Sequence, residues 1–191
     1  MAGTTPYRSR MMHYFRTLAR ANRLANRRLH RACAGLPETE FQVKRTSFFP
    51  SLHATLNHIL TVDWYYLAAL HGETGQRKAF SVPHPFSDID RLAAAQVVAD
   101  ERLMAWCDGA SASDLDRRIA LERASGVKDE HCGYMLMHLF THQIHHRGQA
   151  HAMLAGTSVK PPQLDDFVMP SDAPVRVEDL EALGWTEKDL Y

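Results

Sequence analysis

Net charge is the first thing this chain of 191 residues lacks: 22 lysines and arginines are matched by 22 aspartates and glutamates. Neither a nucleic-acid footprint nor a polybasic membrane segment is indicated, since both need concentrated positive charge. Long hydrophobic runs are missing as well. The longest are broken by His, Asp or Arg, so no segment reads as bilayer-spanning and no membrane partner is expected. The opening MAGTTPYRSR is not followed by the apolar stretch of a secretion signal. Cysteine is scarce. Cys33, Cys107 and Cys132 lie far apart with no CxxC pair, which fits a reducing, cytoplasmic setting. Each thiol reads as a small buried hydrophobe. There is no internal repeat and no low-complexity segment.

What is present is helix and histidine. The residues are 45% hydrophobic, enough to bury the core of one domain. Helical periodicity runs from Ser9 to about Ala34, with Met11, Tyr14, Leu18, Ala21, Ala25 and Leu29 spaced to face inward. Gly35 and Pro37 stop it. Residues 1 to about 8 read as a short arm. Phe48 and Phe49 in the following connector are expected to cover one end of the core. Ser51 is placed to cap a second helix, which runs to about His71. Leu52, Leu56, Ile59, Tyr66 and Leu70 form its main apolar line; Thr55, His58, Val62, Tyr65 and Ala69 form an adjoining one. Residues 72 to 87 read as loop, with His84 exposed. Asp88 can cap a third helix from Ile89 to about Cys107, with Leu92, Gln96, Ala99 and Leu103 in line. A small hairpin is expected around Ala124-Ser125-Gly126. The last long helix runs from about Gly133 to Leu154. In the tail, Pro161, Pro162, Pro170 and Pro174 exclude a long helix before Val177. Two short helical turns flank Gly184, and Trp185 is placed to dock on the bundle. The fold class is therefore all-α, a four-helix bundle with a small β-hairpin before the last long helix.

That last helix carries five of the twelve histidines within Met135–Leu154. Met135, Leu139, His142, His146, Gln149 and Met153 are spaced as an inward stripe. His142 and His146, four apart, lie one turn from each other on one face, a geometry suited to binding one metal ion. Two imidazoles on a core stripe are not easily dismissed as packing, because an unpaired buried polar group costs about 1–3 kcal/mol. His138 and His145 share a different line, with Thr141, Gly148 and Ala152. The pair needs a third ligand. His58, mid-helix and core-facing, is the candidate, beside the plainer reading of a packed histidine bonded to a carbonyl. Asp63 either accepts a hydrogen bond from a ligand histidine or pairs with an arginine. Arg147 pairs with an acid on another helix or with an anionic substrate. Gln149 is within a turn of His146, where it could bond a metal-held water. Tyr65 and Trp64 are cavity-wall or packing residues.

Three stretches carry a resemblance: ANRLANRRLH at 21–30, SFFPSLHATLNHILTVDWYYL at 47–67 and HLFTHQIHHRGQAHAML at 138–154. Together they resemble the DinB family of bacterial proteins, the DinB/YfiT-like four-helix bundle. The resemblance implies a divalent metal held by three histidines, falling here on His58, His142 and His146. It also implies a helix order unlike a simple up-down bundle, and pairing as a homodimer. The bundle is expected over 1–156, with 157–191 as a C-terminal extension packed on it. Relatives of this fold include metal-dependent enzymes that use small thiols. A thiol S-transferase or hydrolase-like activity is thus implied, with a small-molecule thiol as partner; a non-catalytic, stress-associated metal-binding protein is the alternative. Three nitrogen ligands suit zinc, nickel or iron alike.

Overall fold

The computed structural model describes residues 6–165 and 168–191. Residues 1–5 of the expected arm lie outside this range, and from Pro6 the chain is already helical. Four long helices build the bundle: α1 (Pro6–Ala34), α3 (Leu52–Leu70), α4 (Ile89–Gly109) and α5 (Cys132–Leu154). A short α2 (Glu38–Gln42) lies in the first connector, and α6 (Val177–Leu183) lies in the tail. Strands β1 (Arg118–Arg123) and β2 (Gly126–His131) form the expected hairpin. They pair antiparallel with Arg123 opposite Gly126, and Gly126 takes the positive φ of +105° that the tight turn needs. The caps read from sequence are in place. The Ser51 hydroxyl accepts from the Ala54 amide at 3.0 Å and Asp88 from the Arg91 amide at 2.9 Å.

Cross-helix contacts fix the directions. Arg16 of α1 reaches the Cys107 carbonyl of α4 and Asn26 reaches Asp100, so α1 and α4 are antiparallel. Asp63 of α3 meets Gln96, and the Leu70 carbonyl meets Trp106, so α3 and α4 run parallel. His58 meets His146 and Tyr66 meets His138, so α3 and α5 are antiparallel. The order around the bundle is α1, α4, α3, α5, with the consecutive long helices α1 and α3 on a diagonal. This is not the simple up-down order. Its parallel α3–α4 pair obliges residues 71–88 to travel back along the bundle. Asn57 anchors the far end of that crossover: its side-chain amide donates to the Phe86 carbonyl at 2.9 Å and its carbonyl accepts from the Phe86 amide at 3.0 Å.

The interior has an apolar–polar–apolar sequence. One apolar cluster joins Met12, Phe15, Leu67, Leu103, Leu136 and Leu139 with the hairpin's Ile119 and Leu121. A second joins Leu29, Cys33, Leu52, Leu56, Leu92 and Met153. Between them sits a buried polar layer of Asn22, Asn26, Asp63, Gln96, Asp100, Gln143 and Arg147. This layer corrects the expected phase of α1. Met11, Tyr14 and Leu18 are exposed, whereas Met12, Phe15, Ala19, Asn22 and Asn26 face inward. Two asparagines on the buried face disguise it as a solvent face. Phe48 does not cover the core either; it is 80% exposed. The tail packs Leu180 and Leu190 on Leu24 and Ala25, with Trp185 against them. Gly184, in the left-handed region at φ +67°, ends α6.

Candidate metal centre

His58 projects from the middle of α3, and His142 and His146 from consecutive turns of α5. The structure brings all three together: one nitrogen from each ring lies within 4.8 Å of the others. His58 Nε2 and His142 Nε2 are 3.0 Å apart. Two nitrogens bound to one ion at about 2.0–2.1 Å each are separated by roughly 3–3.5 Å, so the spacing suits a shared cation. Among the described residues no other such group of histidine, cysteine and carboxylate side chains occurs.

The surroundings keep the rings neutral and oriented. Burial, then the neighbouring His146, lowers the His58 pKa to about 4. Burial and the adjacent imidazoles lower His142 to about 3, and burial lowers His146. Neutral imidazole is the form that binds metal. His146 Nδ1 lies 2.8 Å from Gln149 Oε1. A proton on Nδ1 makes that bond and leaves Nε2 as the lone-pair nitrogen. Gln149 thus holds the His146 ring in place. Phe49 stacks on His58 with centroids 4.0 Å apart and touches His146 at 5.4 Å. His142 Nδ1 is buried with no hydrogen-bond partner in the protein. A merely packed histidine would have its nitrogens bonded to carbonyls or side chains. Here the nitrogens of His58 and His142 meet each other.

The three rings open into a cleft of about 440 Å³. Val62, Tyr65, Tyr66 and Phe80 contribute to its walls. Tyr65 is pinned by donating its hydroxyl to the Glu122 carbonyl at 2.6 Å; Trp64 instead packs against Phe86. His138 also borders the cleft, although its exposed ring belongs to the line of α5 that carries Thr141 and His145. Arg77, Glu122 and Arg123 complete the lining. Arg77 comes from a 3-10 turn (Gln76–Phe80) in the crossover, and Glu122 and Arg123 come from the end of β1. Sequence periodicity had no way to place these residues, because the crossover and the hairpin reach the site only through the tertiary fold. Charged residues beside an expected hairpin turn were the one available signal.

Two expectations at the polar layer are corrected in detail. Asp63 bonds neither a ligand histidine nor an arginine: its Oδ2 accepts from Gln96 and from Gln143. Arg147 donates to Asn22, Asn26 and Gln143 rather than to an acid. It is buried and lies away from the cleft lining. His53 bonds the Phe86 carbonyl and His84 is exposed, so neither joins the site. All three cysteines are buried and free. Burial pushes the Cys33 and Cys107 thiols up to about 12 and Cys132 to about 11, leaving no reactive thiolate near neutral pH.

The model of the DinB family matches residues 10–175. The chain belongs to the DinB family. The match runs past residue 156, so the resemblance extends into the tail. Among solved structures, this DinB chain is similar to a DinB-like protein from Bacillus cereus, with a TM-score of 0.56 and 17% identity over 73% of this chain and 89% of that one. At that identity the likeness concerns the fold. Comparison with curated proteins gives no match. DinB membership and a three-histidine cluster able to hold a metal ion stand together on independent grounds: one is a sequence match, the other is geometry.

Proposed function

We propose that this DinB protein binds one divalent metal ion through His58, His142 and His146 and uses it as a metal-dependent thiol transferase or related enzyme. The observation that carries the proposal is the convergence of three neutral imidazole nitrogens at a cleft open to solvent. A closed structural site would surround the ion with four protein ligands, whereas catalytic sites leave a position for water or substrate. An ion held there would lower the pKa of a coordinated thiol or water and polarise an oxygen. The chain's own residues do the rest. Gln149 fixes the His146 ring, Phe49 shields one face of His58, and Tyr65 holds the cleft wall. Zinc, nickel and iron all suit three imidazoles.

The test is turnover of an aryl halide such as 1-chloro-2,4-dinitrobenzene by metal-loaded protein with and without a small thiol. Thiol-dependent turnover lost in His58→Ala, with helicity retained, supports the proposal. Metal bound without any thiol-dependent turnover would leave a non-catalytic metal-binding protein. Acid releases the metal as the imidazoles protonate.

The same reading includes a cytoplasmic location, with which a sparse set of three free cysteines agrees; no helix among the described residues is long and apolar enough to cross a membrane. The functional unit is the bundle over 1–156, with 157–191 an extension. It also includes a homodimer. Tyr134, Met137 and Ile144 are 72%, 54% and 60% exposed on one line of α5, continued by the bare Gly148. Such an exposed apolar stripe suits an isologous contact. Ile144→Glu should halve the mass measured by light scattering; an unchanged mass would remove this face from the interface.

A further inference from the structure

The rim of the cleft has a charge pattern that the metal proposal does not use. Arg77 and Arg123 are exposed beside the cleft that the three histidines open into. Among the described residues, neither guanidinium is engaged in an ion pair; Arg123 hydrogen-bonds the Tyr66 side chain. The one acid in the lining, Glu122, is occupied: its carboxylate accepts from the Gly75 amide at 2.7 Å and the Arg77 amide at 3.3 Å. It is thereby tied to backbone on the crossover. The neutral rings do not cancel the charge of a divalent cation. With the ion in place the cleft would hold two positive charges from the metal, two from the arginines and one negative charge from Glu122. Arginine's planar fork pairs with oxyanions in a bidentate manner, and a cleft lined by one sign of charge concentrates ligands of the other.

Resting on the three-histidine metal reading, we infer that the ligand of this cleft is a small organic anion whose carboxylate is held by Arg77 and Arg123 while its other end faces the histidines. The walls agree with such a two-ended ligand. Phe80 and Val62 give the same cleft apolar surface. Tyr65 is already committed to the Glu122 carbonyl and so does not compete for the anion. Arg123 also borders an adjoining hollow of about 240 Å³, but Glu130 lines that hollow, so the place for the anion is the cleft itself.

The test uses cobalt(II)-loaded protein, whose visible spectrum reports ligands entering the cleft, titrated with 2-mercaptoethanol, 3-mercaptopropionate, mercaptosuccinate and 2-mercaptoethanesulfonate. The carboxylate thiols should bind about tenfold more tightly than the neutral one. An Arg77→Gln/Arg123→Gln variant should lose that preference while keeping its own cobalt spectrum and its affinity for 2-mercaptoethanol. Sulfonate binding as tightly as carboxylate would assign the rim to oxyanions in general; weaker sulfonate binding would assign it to carboxylates. Calorimetry with succinate, which carries no thiol, gives a second reading: heat of binding in the wild type that the double variant loses. Equal binding of charged and neutral thiols, or a preference that survives in the double variant, overturns the inference. Failure of the protein to take up cobalt at all would instead overturn the metal reading, and the succinate titration would still decide for or against the arginines.

Discussion

Two polar clusters lie side by side on α5, and they are built in opposite ways. His142 and His146 belong to the candidate metal centre; Gln143 and Arg147, each one residue further on, belong to the layer between the two apolar cores. In the layer, side chains bond mainly to one another, although Asp63 Oδ1, Gln96 Oε1 and Asp100 Oδ2 are buried without a partner. Arg147 donates to Asn22, Asn26 and Gln143, and Asp100 accepts from Asn22, Asn26 and Gln96. At the histidines the arrangement is different. Ring nitrogens converge on one another, and His142 Nδ1 has no protein partner. Buried polarity therefore does not by itself mark a site. What marks it is a set of lone pairs aimed at a common point beside an opening.

The two clusters should respond differently to substitution. The largest effect on stability is expected from Arg147→Met. It strips the layer of its cation and leaves Asn22, Asn26 and Gln143 short of a donor, costing about 3 kcal/mol or more in urea unfolding. A cost within about 0.5 kcal/mol would mean the layer is loosely held. Gln149→Leu should act on the other cluster. It leaves unfolding nearly unchanged but weakens metal binding by roughly tenfold, because the His146 ring loses its acceptor; unchanged affinity by competition with a chromogenic chelator would contradict that role.

The smallest effect at any one pH is expected of Asp100→Asn, about 1 kcal/mol, and it is best seen as a slope. Burial, then the neighbouring Asp63, pushes the Asp100 carboxyl up to about 7. A carboxyl raised in this way keeps its proton in the fold where the unfolded chain has lost it. Its contribution to stability is present in acid, below the ordinary carboxylate value, and is lost as pH rises through about 7. Asparagine has no such slope, so the variant should gain on the wild type between pH 5 and pH 8. A pH-independent difference would show that Asp100 is ionised throughout. Other buried titrating groups, Asp63 of the layer and His30 of α1, differ in sign. Asp63, raised to about 6 by burial, slopes the same way as Asp100, while buried His30, lowered to about 3, loses its contribution as pH falls. The comparison is therefore made against wild type at each pH.

The same contrast separates what was legible in the sequence from what was not. The pairing of His142 with His146 was legible because a helix of 3.6 residues per turn fixes it. The place of His58 followed from the strong apolar pattern of α3. The caps Ser51 and Asp88 and the short helix after Val177 were legible from local chemistry. The phase of α1 was not: Asn22 and Asn26 look like solvent residues until Asp100 and Arg147 arrive from other helices to bond them. Arg77 and Arg123 were equally hidden. They reach the cleft because a parallel α3–α4 pair sends the crossover back along the bundle and because the hairpin folds over α3, neither of which leaves a periodic trace. Asp63 was noticed as a residue, but its partners were assigned differently, since a side chain's neighbour one or two helices away is set by rotation rather than by spacing.

The central claim is that His58, His142 and His146 share one ion. Elemental analysis of purified wild-type protein beside His142→Ala tests it most directly. About one equivalent of divalent metal per chain in the wild type and almost none in the variant is the predicted result. No stoichiometric metal in the wild type after reconstitution, or the same content in His142→Ala, would contradict the claim.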